Sequence, residues 1–253
     1  LGSGYEPDRP SDLVESGGSL FFQIKSGAFG GLWKSDGAAA GTVMVKAISA
    51  GETIEALVET NDVLFFVVNN TVSSTSSLWK SDGTEAGSVI VQTWTNSKLV
   101  KPTAANGELY FAVTSQSGNP PELWKSDGTA GGTAMLKSAS FIENLVNVNG
   151  ELFFTAAEDA VPYHRLWKTD GSAAGTVLVK DIWAGAGNSY FAKFFNSNGT
   201  LFFTANDGVN GEELWKSDGT EAGTIMIENI EPGSAGSYIH SFAMANGNVY
   251  FFA

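Results

Sequence analysis

Leu32-Trp33-Lys34-Ser35-Asp36-Gly37, followed after three residues by Gly41-Thr42, decides the fold. The same phrase returns at Leu78–Ser88, Leu123–Thr133, Leu166–Thr176 and Leu214–Thr224 without insertion or deletion. Its tryptophans, Trp33, Trp79, Trp124, Trp167 and Trp215, follow one another at 46, 45, 43 and 48 residues. A fixed period in this range is that of one four-stranded propeller blade.

Outward from the phrase, each copy is preceded by an aromatic run: Leu20-Phe21-Phe22, Leu64-Phe65-Phe66, Leu109-Tyr110-Phe111, Leu152-Phe153-Phe154 and Leu201-Phe202-Phe203. A less regular sixth run is Val249-Tyr250-Phe251. Consecutive large apolar residues suit a strand covered on both faces, whereas a sandwich with one wet face would alternate. Before each run stands a two-residue hairpin signal: Asn106-Gly107, Asn149-Gly150, Asn198-Gly199 and Asn246-Gly247, with Gly17-Gly18 and Asn61-Asp62 as variants. These residues accept the positive φ of a type I′ turn. After the phrase comes a run rich in β-branched residues, as in Thr42–Lys46 and Thr176–Lys180. Such residues favour strands.

The pattern predicts an all-β propeller of four-stranded antiparallel blades, one repeat domain over residues 1–253. Complete blades are expected at about 11–48, 54–94, 99–138, 141–182 and 191–230, with a half blade at 238–253, giving a five- or six-bladed fold. The segment Gly2–Pro7 resembles Pro232–Tyr238, so the chain is expected to begin inside a repeat. An open edge at Val249–Phe252 would expose unpaired backbone and apolar side chains. It is expected to be completed by further sequence, by the N-terminal segment or by another subunit through strand addition, the last making a homo-oligomer or filament.

Composition narrows the function. The net charge of -13, with only 14 Lys and Arg, argues against binding nucleic acid or inserting into an anionic membrane, and favours cations or neutral ligands. There is no cysteine, hence no disulfide framework or thiolate metal site. No apolar stretch approaches the roughly 20 residues that span a bilayer, and no basic-then-apolar leader opens the sequence.

Within the phrase, Asp36, Asp82, Asp127, Asp170 and Asp218 precede glycines and can accept hydrogen bonds from amides two or three residues on. The second glycine, five residues after each Asp, is expected to mark a positive φ or a close approach of chain. Each Trp is expected to anchor neighbouring blades, with its indole nitrogen reaching a partner at the rim. Lys34, Lys80, Lys125, Lys168 and Lys216 are expected in solvent near the Asp of their own phrase. Five carboxylates could instead hold five calcium ions, but five-fold invariance is the mark of a fold-forming staple rather than of a single site.

The five phrases resemble the ELWxxDGT repeat family of bacterial, mostly secreted or surface-associated proteins, and the turn resembles the Asp-box of sialidase-type propellers. Gly31, Ser77 and Arg165 stand where the family pattern has an acidic residue, and Ala38 and Ser172 where it has Thr. The resemblance implies a propeller-like fold and an extracellular or cell-surface setting, and it carries no agreed activity.

Loop length varies only between second and third strands and between fourth and first, so ligand recognition is expected on that face. It would present Phe29, Trp94, Tyr163, His164, Arg165, Trp183, Tyr190 and Tyr238, aromatics suited to sugar stacking or to a surface protein. Most are equally able to pack over the ends of their own blades. The loop carrying Asp207, Asn210 and Glu212 has oxygen ligands for calcium but lacks the EF-hand spacing, and a turn-rich loop is the simpler reading. No other cofactor is expected.

First strands should line a central channel. Asp12, Glu15, Glu55, Glu59 and Glu143 lie there, so a glycosidase pair is conceivable, with Glu55 and Glu143 equivalent in their repeats. Nothing assembles a nucleophile, base and orienting group, and the chain is read as no enzyme. The expected function is a non-catalytic extracellular scaffold of a bacterial surface or secreted assembly, self-assembling by strand complementation; the alternative is a carbohydrate-binding lectin.

Overall fold

The computed structural model describes residues 10–24, 30–158, 161–184, 187–246 and 248–253. Among these are 22 strands and no helix. The first blade comprises β1 (Ser11–Ser16), β2 (Ser19–Ile24), β3 (Gly31–Ser35) and β4 (Val43–Ala47). The second has β5 (Glu52–Thr60), β6 (Val63–Asn70), β7 (Thr75–Ser81) and β8 (Val89–Thr95). The third has β9 (Ser97–Ala105), β10 (Glu108–Ser115), β11 (Glu122–Ser126) and β12 (Ala134–Ser138). The fourth has β13 (Phe141–Val148), β14 (Glu151–Glu158), β15 (Val161–Thr169) and β16 (Val177–Lys180), and the fifth β17 (Ala192–Ser197), β18 (Thr200–Asn206), β19 (Glu212–Ser217) and β20 (Ile225–Glu228). A two-stranded sheet of β21 (His240–Ala245) and β22 (Asn248–Phe252) follows. In each four-stranded sheet the strands lie side by side in chain order.

By contacts the chain groups into two compact units, Leu1–Asn119 with Trp124–Ala134, and Pro120–Leu123 with Met135–Ala253. Within the first unit β1 packs on β5 and β5 on β9; within the second, β13 packs on β17 and β17 on β21. First strands are therefore neighbours of first strands, as they are on the inner side of a propeller. The N-terminal segment 1–9 lies outside the described residues.

The first-to-second hairpins are type I′. Both central residues have positive φ at Gly17/Gly18, Asn61/Asp62, Asn106/Gly107, Asn149/Gly150 and Asn198/Gly199, the geometry that matches the twist of the flanking strands. The aromatic strands are covered on both faces: Leu64, Phe65, Phe66, Val67 and Val68 are all buried in succession. One cluster joins Phe21, Leu32 and Val45 of the first blade to Ile54, Leu57, Leu64, Phe66 and Val68 of the second, with Trp79 packed against it. This is the interblade anchoring expected of the tryptophan. Trp79 also stacks on Phe66 of its own blade with centroids 5.6 Å apart, and Lys46 of the first blade lies 5.5 Å over its ring. The indole of Trp215 donates to the Ala205 carbonyl at 3.1 Å, whereas the indole nitrogens of Trp79 and Trp167 are buried without a hydrogen-bond partner, which corrects the expectation that each reaches one.

One irregularity was not visible in the sequence. Asp12, Lys101, Asn144, Lys193 and Ser241 each have φ between 50° and 59°, and each lies in or beside a register shift of its first strand. These are bulges, which bend a strand and increase its twist.

Candidate functional site

The phrase was the first candidate, and its chemistry turns inward. Asp82 Oδ1 accepts from the Thr84 amide at 2.9 Å and from the Thr84 hydroxyl at 2.7 Å. Asp127 and Asp218 do the same with Thr129 and Thr220, Asp170 with Ser172, while Asp36 accepts only the amide of Ala38. The threonine hydroxyl and amide hold the carboxyls of Asp82, Asp127 and Asp218 below the ordinary carboxylate range.

The Ser or Thr before each Asp closes the other side of the turn: the Ser81 and Ser88 hydroxyls lie 2.7 Å apart, and Ser81 Oγ accepts from the Gly83 amide. The first glycines have φ from 82° to 93°, as the turn requires. For the second glycines the structure selects one of the two expectations. None has positive φ among the described residues, but a Cβ on Gly41, Gly87, Gly132, Gly175 or Gly223 would lie within 1.9 to 2.4 Å of the Asp carboxylate atoms. They are glycines because the carboxylate occupies that space.

The expectation made for the lysines holds for some and not for others: Lys216 is exposed and Lys125 helps to lower Asp127 of its own phrase, whereas Lys34 does otherwise. Lys34 reaches out of its own phrase and donates to the Gly83 carbonyl of the next blade at 2.7 Å. Lys125 pairs with Glu108 at 2.8 Å and Lys168 with Glu151 at 3.0 Å. Lys34 and Lys168 also lower Asp82 and Asp218, the carboxylates one repeat further on. Lys34 is drawn across the junction by a backbone carbonyl and a carboxylate of the neighbouring turn, while Lys125 and Lys168 pair with glutamates of the adjacent strand in their own blades.

Of the aromatic candidates on the variable loops, most are packed. Trp94 meets Phe111 and Trp124 edge-on at 5.4 and 5.3 Å. Trp183 is roofed by Gly187 and Gly208, where an added Cβ would fall 2.0 and 2.3 Å from its indole. His164 lies 3.7 Å from Phe141 in a parallel stack, and burial pushes its pKa down against the pull of Glu143. Tyr163 is half-buried. Arg165, 13% exposed, lies 3.5 Å from both Glu158 and Asp181, tying its strand to the following linker. Phe29 lies outside the described residues. Trp94, Trp183, His164 and Arg165 thus make packing or ion-pair contacts within the fold.

Two remain open. Tyr190 and Tyr238 are 62% and 76% exposed, and both have left-handed backbone, φ 45° and 48°. That conformation is an outlier for a bulky residue and is held only when its surroundings impose it. The buried serine before each tyrosine is anchored differently in the two repeats, to the following blade in one and to the preceding blade in the other. Ser189 and Ser237, just before the tyrosines, are buried; the Ser189 carbonyl accepts from the Asn206 amide at 2.7 Å, and the Ser237 amide donates to the Glu212 carbonyl at 2.9 Å. Glu213, fully buried, accepts from the amides of Ile230 and Glu231 and from the Ser237 hydroxyl. The sequence signal for Glu213 was its place before Leu-Trp, the acidic position of the repeat pattern.

The oxygens of the calcium candidate loop are engaged locally. Asp207 accepts from the amides of Val209 and Asn210 at 2.9 and 2.8 Å and from the Asn210 side chain, and although burial opposes it these bonds hold its carboxyl low. Asn210 Oδ1 accepts from Asn229, and Glu212 Oε1 from the Thr204 hydroxyl. The turn-rich reading describes this geometry.

A feature the sequence reading missed lies at the variable ends of the second and third blades. Two adjoining clefts of about 260 and 300 Å³ share Glu55, Asn69 and Lys98. Thr53, Asn70, Thr75, Ser97 and Gln116 add hydroxyl and amide groups. Glu55 accepts from the Thr53 hydroxyl at 2.8 Å. It is the one carboxylate in the lining, so no carboxylate pair is assembled in these clefts.

No protein-family model matches the chain, and no curated protein matches it in sequence. Solved structures do. The chain is similar to the β-propeller domain of the Trilobed protease from Pyrococcus furiosus, described as having an open velcro topology: TM-score 0.60, 11% identity, covering 96% of this chain and 76% of that one. It is similar to an oligogalacturonate lyase in complex with manganese, with TM-score 0.59, 12% identity, and 94% and 67% covered. Oligopeptidase B from Leishmania major gives TM-score 0.59 at 12% identity over 92% of this chain, which spans 36% of the length of that enzyme. At such identities the likeness speaks for the fold alone. With the repeated four-stranded sheets it makes this chain an all-β propeller, five complete blades and a half blade of antiparallel strands.

Proposed function

We propose that the chain is a non-catalytic scaffold of a bacterial surface or secreted assembly, of the ELWxxDGT repeat type, that engages a partner through the variable-loop ends of its blades. The observation that carries this is the contrast between the phrase and the linkers. All five Asp carboxylates are turned back into their own turns. Tyr190 and Tyr238, by contrast, are held out into solvent by strained backbone at equivalent places. A tyrosine presents a wide apolar face and a polar tip with little entropy to lose on binding.

A second reading is favoured by the clefts at Glu55. Hydroxyls, amides, one carboxylate and the Lys98 ammonium, which balances that carboxylate, suit a neutral, hydroxyl-rich ligand such as a glycan. Binding to a panel of neutral bacterial and plant glycans, with and without calcium, tests it. Retention that is lost in Tyr190→Ala/Tyr238→Ala or in Glu55→Gln supports a lectin, and no retention under either condition removes the lectin and leaves the scaffold. Glycoside turnover abolished by Glu55→Gln overturns the non-catalytic reading.

A further inference from the structure

We infer that the two adjoining clefts at Glu55 form one site for an acetamido sugar, a neutral hexose in which one hydroxyl is replaced by an N-acetyl group. This rests on the lectin reading and names its ligand class, and it can fail while that reading stands.

Both clefts lie within one compact unit, against β5, β6 and β9. Two bulges shape them. In β5 the pairing with β6 passes from Ile54 with Val68 directly to Ala56 with Val67, so Glu55 is the extra residue and stands outside the ladder. In β9 the register steps from Val100 to Thr103, leaving Lys101 and Pro102 outside it. Bulges re-aim side chains that strict alternation would place elsewhere. Glu55 is exposed, and with Lys101 and Pro102 it lines the second cleft.

Three side chains, Glu55, Asn69 and Lys98, line both clefts and so form the waist between them. Glu55 can only accept and Lys98 can only donate. Neither makes an ion pair among the described residues, with each other or with a third group; Glu55 takes one hydrogen bond, from the Thr53 hydroxyl at 2.8 Å. The Asn69 oxygen is engaged by the Ser76 hydroxyl at 2.5 Å, which leaves its amide hydrogens as further donors. One acceptor beside two donors is the complement of a secondary amide, which carries one N–H, one C=O and no charge.

The lobes on either side of the waist differ. In the first, Thr53, Asn70, Thr75, Ser97 and Gln116 supply hydroxyls and amides. In the second, Ala56, Val67, Leu99, Val100 and Pro102 form an apolar wall, with Val67 and Leu99 buried. A plain hexose has hydroxyls for the first lobe and nothing for the second. A peptide has the amide and a methyl group but no ring of hydroxyls. An acetamido sugar meets all three parts: ring hydroxyls in the polar lobe, N–H toward Glu55 with carbonyl toward Lys98 and Asn69, and methyl on the apolar wall. Small-ligand sites run from about 300 to 1,000 Å³, and adjoining clefts of about 260 and 300 Å³ suit one substituted ring.

The test is ligand-observed saturation-transfer NMR on the whole 253-residue chain. Its probes are the methyl glycosides of N-acetylglucosamine and N-acetylgalactosamine, each beside its parent glucoside or galactoside. At least one acetamido sugar should bind about tenfold or more tightly than its parent, with the strongest saturation at the acetyl methyl protons. Replacing acetyl by formyl should lose about fourfold, the burial of one methyl group. Lys98→Met, at an exposed position where folding is preserved, should cut the preference to about threefold or less while the parent sugar binds within about twofold of before. Equal affinity for acetamido sugar and parent overturns the inference and leaves the lectin, whereas no binding of any of the four sugars up to about 50 mM removes both. A preference undiminished in Lys98→Met and in Glu55→Gln places the amide elsewhere and overturns the inference. N-acetylalanine methylamide binding as tightly as the sugars assigns the clefts to a peptide and overturns it as well.

Discussion

Phe21 and Phe202 hold the same position in their repeats, follow the same hairpin and precede the same phrase. Phe21 is 4% exposed under the turn of the second blade, while Phe202 is half-buried and lines an open cleft. The turns show the mirror image of this difference. Gly83 and Ser81 in the second blade are buried, whereas an added Cβ on Gly37 of the first would meet nothing within 4 Å. Burial here belongs to the junction rather than to the residue, and one repeated sequence yields covered and uncovered versions of the same parts.

The largest effect expected from this comparison is on the aromatic ring. Phe153→Ala should destabilise the chain by about 3–5 kcal/mol in urea unfolding, as for a fully packed phenylalanine, and Phe202→Ala by about half of that or less. Equal losses would break the comparison. Next is the turn glycine. Gly37→Ala and Gly83→Ala both place alanine at φ near 90°, at about 1–2 kcal/mol each. Gly83→Ala also presses on Phe21 and should lose about 1–3 kcal/mol more. Smaller again is the lysine: Lys34→Met should cost about 1 kcal/mol for its bond to the Gly83 carbonyl, and Lys216→Met should stay within about 0.5 kcal/mol.

The smallest effect is on acid stability. Asp82, Asp127 and Asp218 have lowered pKa in the fold, so the folded chain binds fewer protons than the unfolded one as the pH falls below about 4. The stability they contribute is full above that pH and is lost as pH falls through their lowered values. Because these carboxylates are almost fully exposed, the loss is modest. Thr84→Val, which removes the hydroxyl on Asp82, should reduce the difference between urea midpoints at pH 5 and pH 3; an unchanged difference would show that this hydrogen bond does not set the acid response.

Fold was legible because it is written in local, repeated terms. Asn106-Gly107 can be read as a type I′ turn from two residues, and Leu64–Val68 as a doubly covered strand from five. The bulges at Lys101 and Lys193 were not legible, since nothing in a lysine announces positive φ. They follow from how successive inner strands must bend together. The site was legible only where exposure was decided locally. Tyr190 and Tyr238 stand out because their own linker holds them in the left-handed region. Trp94 and Trp183 looked alike in sequence, but Trp124, Phe111 and the loop glycines that cover them come from elsewhere in the chain. Lys34 was misplaced for the same reason: its acceptor lies 49 residues away.

The lysine-to-glycine bond also gives the array a direction. At the junctions that carry Gly83, Gly128 and Gly219, the earlier blade offers a ring and a lysine forward and the later one a glycine turn backward. Stability in such arrays is close to a sum of repeat and nearest-neighbour terms. A gene duplication that inserts one further 43- to 48-residue repeat therefore adds one blade and one complete junction, with no new surface to invent. Copy number can therefore change in a single recombination event with every internal junction rebuilt from parts already present.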